Sequence, residues 1–251
     1  YIALERWAAR DCDRIFAVAQ AMVDQCVAAR VAAPEKYQVV YSGMELDRYL
    51  HLQRDEALAA QLGLTPGMPV VGKIARIFEL KGYEQLVAAA PRIVAAVPGV
   101  RFLIVGDGNL RPWFESEIAK LGLREHFVFA GLVAPSEIPR YISLMNALVH
   151  LSLREGLPRT VVQALAGGVP AVGYRLDGTP EAIQDGENGY LCTPGDSDGV
   201  ATAISRLLSD PARSRAMGLA GRAWVRDRWD WHLMVQQLET AYAELLAKRS
   251  G

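Results

Sequence analysis

Short runs of continuous apolar residues alternate along this chain with longer stretches whose apolar positions recur every three or four residues. Asp13 to Val18 and Tyr37 to Tyr41 read as strands, with a helix over Ala21 to Ala28 between them. Ser42-Gly43 turns the chain, and Asp47 to Leu64 is charged, rich in Ala and Leu, and closed by Pro66-Gly67, which marks it as a candidate linker. Beyond it the alternation becomes regular. Strands are predicted at Pro69 to Ile77, Val100 to Val105, Phe127 to Gly131, Ala147 to Leu151, Pro170 to Tyr174 and Gly189 to Cys192, with a helical segment between each consecutive pair. Several of these runs are apolar throughout, as expected of parallel strands covered on both faces. The pattern predicts a doubly wound α/β domain built on a parallel sheet.

The helical segments agree with it. After Lys81-Gly82, the residues Leu86, Ala90, Ile93, Val94 and Val97 share one stripe, with Pro91 expected to kink the helix or remove one backbone bond. Asp196-Ser197 can cap a helix that buries Val200, Ile204, Leu207 and Leu208. A last helix, from about Trp231 to Lys248, repeats Val235, Leu238, Tyr242, Leu245 and Leu246. No internal repeat or low-complexity tract interrupts the series. The chain opens at Tyr1 without a Met and enters helix-like sequence at once, so an upstream part is expected to be missing.

Charge narrows the partners. In 251 residues, 27 Lys and Arg face 28 Asp and Glu, a formal net charge of −1 that offers no bulk neutralisation of nucleic-acid phosphates. Any use of charge is therefore local. The 3 cysteines, Cys12, Cys26 and Cys192, form no CxxC and suit a reducing compartment. No apolar run is long enough to cross a bilayer, so the chain is expected to be soluble.

In an open parallel sheet, ligands bind beyond the carboxyl ends of the strands, and the residues that follow each strand are the candidates. Arg76 and Lys81 flank the turn after the first strand of the regular series; two cations so placed suit a diphosphate, although on the pair alone a solvated surface is the more frequent use. Gly106-Asp107-Gly108 enters a helix after the second, as a tight turn or as a backbone contact to a nucleotide, and lacks the third glycine of a dinucleotide fingerprint. After the fourth comes Glu155-Gly156-Leu157-Pro158. Pro158 suits the first turn of a helix whose free N–H groups attract phosphate. Glu155 is either a cap or an acceptor for sugar hydroxyls. The four histidines show no metal spacing, and His150, inside an apolar strand, reads as a satisfied core residue. Trp224, Trp229 and Trp231 read as packing anchors rather than a sugar-stacking platform.

Taken together, Gly72-Lys73-Ile74-Ala75-Arg76 with Lys81-Gly82, Phe102 to Gly108, Phe129-Ala130-Gly131, Glu155 to Pro158 with Gln163 to Pro170, and Gly178-Thr179-Pro180-Glu181 resemble the donor half of glycosyltransferase family 4 in order and spacing. These are the group 1 retaining transferases of the GT-B fold. The resemblance implies a Rossmann-like C-terminal donor-binding domain over residues 63–251 with C-terminal helices. It makes residues 1–62 a remnant of the N-terminal acceptor domain and a linker. It implies a hexosyltransferase-type enzyme that moves a sugar, with retention, from a nucleotide-diphosphate sugar to a saccharide, lipid or small-molecule acceptor.

By the same resemblance Arg76 and Lys81 match the cations that hold the departing diphosphate, and Glu155 matches the first carboxylate of an E-x7-E motif, which contacts the donor sugar. Gly106, Gly108, Gly156, Leu157, Pro158, Arg159, Thr160 and Gln163 fall on donor-binding positions. Gln163 replaces the second carboxylate, which usually takes the ribose hydroxyls, and Asn146 stands where Asp is common. No metal, cofactor or nucleic acid is implied. A cytoplasmic location follows, at the inner face of a membrane for members with such acceptors, with contact through the missing N-terminal domain. A fragment of this kind is expected to bind donor weakly and transfer poorly. The rival reading is a non-catalytic nucleotide-sugar-binding or partner-binding module in which Gln163 reports a decayed site. A GT-B epimerase is disfavoured, because the Glu155 to Pro170 segment matches the transferases better.

Overall fold

Six apolar runs lie side by side in a single parallel sheet. In the computed structural model, which describes residues 1–250 with side chains through Lys248, a two-stranded parallel sheet comes first, β1 (Ile15–Ala17) beside β2 (Tyr37–Val39). The large sheet contains β3 (Val70–Ile74), β4 (Arg101–Val105), β5 (Phe127–Gly131), β6 (Ala147–His150), β7 (Ala171–Tyr174) and β8 (Gly189–Cys192), in the order β5-β4-β3-β6-β7-β8. All six predicted strands of the regular series are present. The doubly wound α/β class is the observed one.

The continuous apolar runs resolve into two interleaved faces. Val70, Ile74, Leu103, Leu148 and Ala171 pack into one core with the helices Arg159–Ala166 and Pro211–Trp229. Val71, Phe102, Ile104, Val149 and Val172 pack into the other with Tyr83–Ala96 and Ser197–Ser209. Alternate side chains of a strand point to opposite faces, so a strand covered on both sides must be apolar at every position.

The chain leaves β3 towards β4 and β5, then crosses back to β6 and runs the other way. Strand order therefore reverses between β3 and β6, and a crevice opens at their carboxyl ends. Gly82 shapes its floor. It begins helix Tyr83–Ala96 at φ 70°, and a Cβ there would stand 2.1 Å from the Leu151 carbonyl oxygen. Only glycine both adopts this conformation readily and lets the two strand exits touch.

Helix Tyr83–Ala96 buries Leu86, Ala90 and Ile93 as predicted and runs unbroken through the exposed Pro91. Asp196 accepts from the Gly199 amide and caps helix Ser197–Ser209. In the last helix, Trp231–Ser250, Ala241 carries the buried contact while Tyr242 and Leu246 stay exposed, so the predicted stripe is rotated. Helix Pro211–Trp229 was not predicted. Its buried face begins with Ser214, Met217, Gly218 and Gly221, and a Gly218 Cβ would lie 1.9 Å from the Gly168 carbonyl oxygen. Contact through small residues leaves no apolar periodicity to read. Among the tryptophans Trp229 is fully buried, Trp224 is half-buried and Trp231 is exposed.

The stretch Asp47 to Leu64 forms the helices Asp47–Leu50 and Glu56–Gln61, and buries Tyr49, Leu58 and Leu64 in the core beside β3. Nearer the N-terminus, Glu181 takes the amides of Gln20 and Ala21 at 2.9 and 3.0 Å and the Tyr41 hydroxyl at 2.9 Å. A distant carboxylate thus caps helix Gln20–Ala28 and ties the small sheet to the large one. Burial, then the bond to Glu181, pushes Tyr41 up to about 12.

Candidate functional site

A cavity of about 240 Å³ lies beyond the carboxyl ends of β3 and β6. Lys73, Arg76 and Lys81 enter from the β3 side, and His150, Ser152 and Glu155 from the β6 side; Leu157, Arg159 and Thr160 close it at the start of helix Arg159–Ala166. Arg76 and Lys81, from one loop, and Glu155, 74 residues beyond Lys81, thus line one space.

Their bonding is unequal. Lys81 Nζ donates to Glu155 Oε2 at 2.9 Å and approaches Ser152 Oγ at 3.4 Å. Arg76 is exposed, with its guanidinium 5.0 Å over the Phe78 ring and no carboxylate partner among the described residues. The cation expected at phosphate and the carboxylate expected at sugar therefore hold each other, while the second cation is free.

Beneath them sits a lysine that the residue pattern did not single out. Lys73, inside β3 and 2% exposed, donates to the Lys81 carbonyl at 2.8 Å and lies 4.7 Å from the centre of the Tyr83 ring. Burial, then the neighbouring Lys81 charge, pushes it down to about 7, against a smaller opposing pull from Glu84. Its one sequence signal is a charge inside the otherwise apolar run Val70 to Ile74.

His150 corrects an expectation. It ends β6 and is buried, yet it is not satisfied: Nδ1 lies 3.5 Å from Thr160 Oγ1, and Nε2 has no hydrogen-bond partner. Burial, then Lys73 and Lys81, push it down to about 3. The ring is neutral, so its 3.8 Å approach to Glu155 Oε2 is not a salt bridge.

The other candidates fall into three groups. Gly106 and Gly108 lie under the Arg76 loop rather than on the cavity wall; a Cβ on either would come within 2.1 and 2.3 Å of the Ala75 and Ile77 carbonyl oxygens. Gly156 faces the N-terminal segment, where a Cβ would meet Met22 Sδ at 3.1 Å and Val18 Cγ2 at 3.3 Å. Pro158 takes the cap position just before helix Arg159–Ala166 instead of its first turn. Gln163 lines a neighbouring cavity of about 470 Å³ with Tyr49, Ser136 and Trp231, and Arg159 borders both spaces.

Asp177 supports the site and was missed. One carboxylate oxygen accepts from the Glu155 amide at 2.9 Å and the other from Gln25 Nε2 at 2.9 Å, in a residue at φ 50°. Among the described residues no group of three His, Cys, Asp or Glu is placed to hold a metal.

A parallel sheet with this strand order, and with cations, a carboxylate and a helix start gathered at its switch point, has the arrangement in which doubly wound α/β proteins hold ligands. The chain belongs to the group 1 glycosyl transferases: residues 55–224 match that family. It is 31% identical over 248 residues to the 2-deoxystreptamine glucosyltransferase of Streptomyces kanamyceticus, covering 98% of this chain and 64% of that protein. Over 188 residues it is 34% identical to the GDP-mannose-dependent alpha-(1-6)-phosphatidylinositol monomannoside mannosyltransferase of Mycolicibacterium smegmatis, covering 72% and 48%. Among solved structures, Anabaena HepE in complex with UDP superposes with a TM-score of 0.87 at 27% identity, over 94% of this chain and 65% of that one. The chain thus spans less than two thirds of these relatives. The structural neighbours are GT-B glycosyltransferases, as the resemblance implied.

Proposed function

We propose that this chain is the donor half of a retaining glycosyltransferase that uses a nucleotide-diphosphate sugar. Residues 63–251 form the donor domain on this reading, and residues 1–62 are the linker and the end of an acceptor domain. The observation that carries it is the convergence of Arg76, Lys81 and Glu155 on one cavity at the switch point. Support comes from Anabaena HepE, solved with UDP and with UDP-glucose.

A bound diphosphate takes the free Arg76 and replaces Glu155 as the partner of Lys81. Glu155 then accepts from hydroxyls of the donor sugar. In transfer, the bond between the anomeric carbon and the diphosphate oxygen breaks. The two cations and the helix start stabilise the charge that gathers on the leaving group. The acceptor hydroxyl attacks from the same face, and its proton passes to the departing phosphate oxygen.

The acceptor is a saccharide, lipid or small molecule held by the acceptor domain, at a membrane face where it is lipid-linked. Among the described residues no helix is long and apolar enough to cross a membrane. The test is a titration with UDP-, GDP- and ADP-sugars, followed by an assay of the whole protein for transfer or slow donor hydrolysis. A ligand at about 100 times its dissociation constant raises stability by about 2.7 kcal/mol, which a melting curve detects. Absence of binding to every donor removes the proposal, and binding without turnover replaces it with a sugar-nucleotide-binding module.

A further inference from the structure

Two nitrogens face one oxygen of Glu155. Lys81 Nζ holds Oε2 at 2.9 Å, and His150 Nε2 stands 3.8 Å from the same atom without a bond to anything. The His150 side chain is only 9% exposed. A buried ring nitrogen that has lost water and gained no partner is a standing cost, and natural structures carry few such groups. Its retention at the wall of the cavity points to a partner that arrives when the site changes. Lys81 is the group that changes, because a diphosphate competes with Glu155 for its ammonium.

We propose that His150 is a positioning residue for Glu155: when a donor diphosphate draws Lys81 away, the His150 Nε2–H closes on Oε2 and keeps the carboxylate aimed at the sugar. The inference rests on the donor-site reading above and adds to it the residue that stabilises Glu155 after the exchange. A Thr160 hydroxyl that donates to Nδ1, now 3.5 Å away, leaves the imidazole proton on Nε2, where a carboxylate can accept it. Burial and the adjacent Lys73 and Lys81 charges keep the ring neutral, so the pair forms as a hydrogen bond to an anion and not as an ion pair. The required movement is about 1 Å, from the present separation to an ordinary N–H···O distance. Lys73 does not compete for this task, since its ammonium already donates to the Lys81 carbonyl oxygen.

The test is a coupling measurement by calorimetry on the whole protein that carries this chain, with UDP, UDP-glucose, GDP and GDP-mannose as probes. In the presence of Glu155, His150→Leu is expected to weaken binding of the nucleotide sugar about tenfold. In a Glu155→Gln background, the same change is expected to alter affinity by less than about twofold, because the charge it serves is gone. His150→Gln keeps an N–H at similar reach and is expected to recover most of the loss. Melting temperatures of all variants identify a fold defect, and nitrogen shifts of the His150 ring are expected to show the Nε2-protonated tautomer in the free chain. Equal losses in both backgrounds, or none with Glu155 present, overturn the role of His150 and leave the donor site standing. A wild-type chain that binds none of the four probes removes the donor site itself and the inference with it.

Discussion

The two ends of the central strands treat their polar groups in opposite ways. At the amino end, Asn146 and Val70 complete each other: the Asn146 amide donates to the Val70 carbonyl at 2.8 Å, and its side-chain oxygen takes the Val70 amide at 2.8 Å. At the carboxyl end of the same strands, Lys73 is a buried ammonium with Arg76, Lys81 and Arg159 lining the same cavity, and His150 keeps an unbonded nitrogen. One end is closed by its own bonds. The other holds charge and hydrogen-bonding capacity that the fold does not use, and this separates a structural polar group from one kept for a ligand.

The largest test of that contrast is pH. Lys73 titrates near 7 in the folded chain and at 10.5 when unfolded. Between those values the unfolded state binds more protons, so stability rises with pH by up to about 1.4 kcal/mol per unit. Lys73→Met is expected to flatten this rise in denaturant melts taken from pH 7 to 10, and an unchanged slope would show that Lys73 is not the buried charge. Next in size, Lys81→Ala is expected to cost about 1.5–3 kcal/mol of nucleotide-diphosphate affinity by calorimetry, since a hydrogen bond to a charged group is lost. Unaltered affinity breaks the phosphate assignment.

At the closed end, Asn146→Leu is expected to destabilise the chain by about 1–3 kcal/mol through the orphaned Val70 amide, with nucleotide affinity intact. A loss of affinity there would erase the distinction between the two ends. The smallest effect is expected from Gln163→Glu, about 0.5–1.5 kcal/mol tighter binding for ribonucleotide sugars. If binding does not tighten, the second cavity is not where the ribose sits.

Much of this was legible in the residues because it depends on local pattern. The runs Val100 to Val105 and Phe127 to Gly131 declare buried strands, and Asp196 declares a cap, within a few positions of chain. Helix Pro211–Trp229 escaped because Ser214, Gly218 and Gly221 buy close backbone contact instead of an apolar stripe. The position of Arg76 after a strand end was readable, whereas His150 was misread, since an apolar neighbourhood in sequence does not reveal an open nitrogen in space.

By itself the amino-acid order determined the succession of strands and helices of a parallel α/β sheet and the residue types that leave each strand, since periodicity and strand-end position act over a few residues; the strand order, and with it the reversal between β3 and β6, was set in three dimensions. Only the tertiary structure decided that Lys81, 74 residues from Glu155, spends its charge on that carboxylate, and that Lys73 and His150 lie beneath the pair. Charge interactions depend on separation in space and on exclusion of water, and neither is a property of neighbours along a chain.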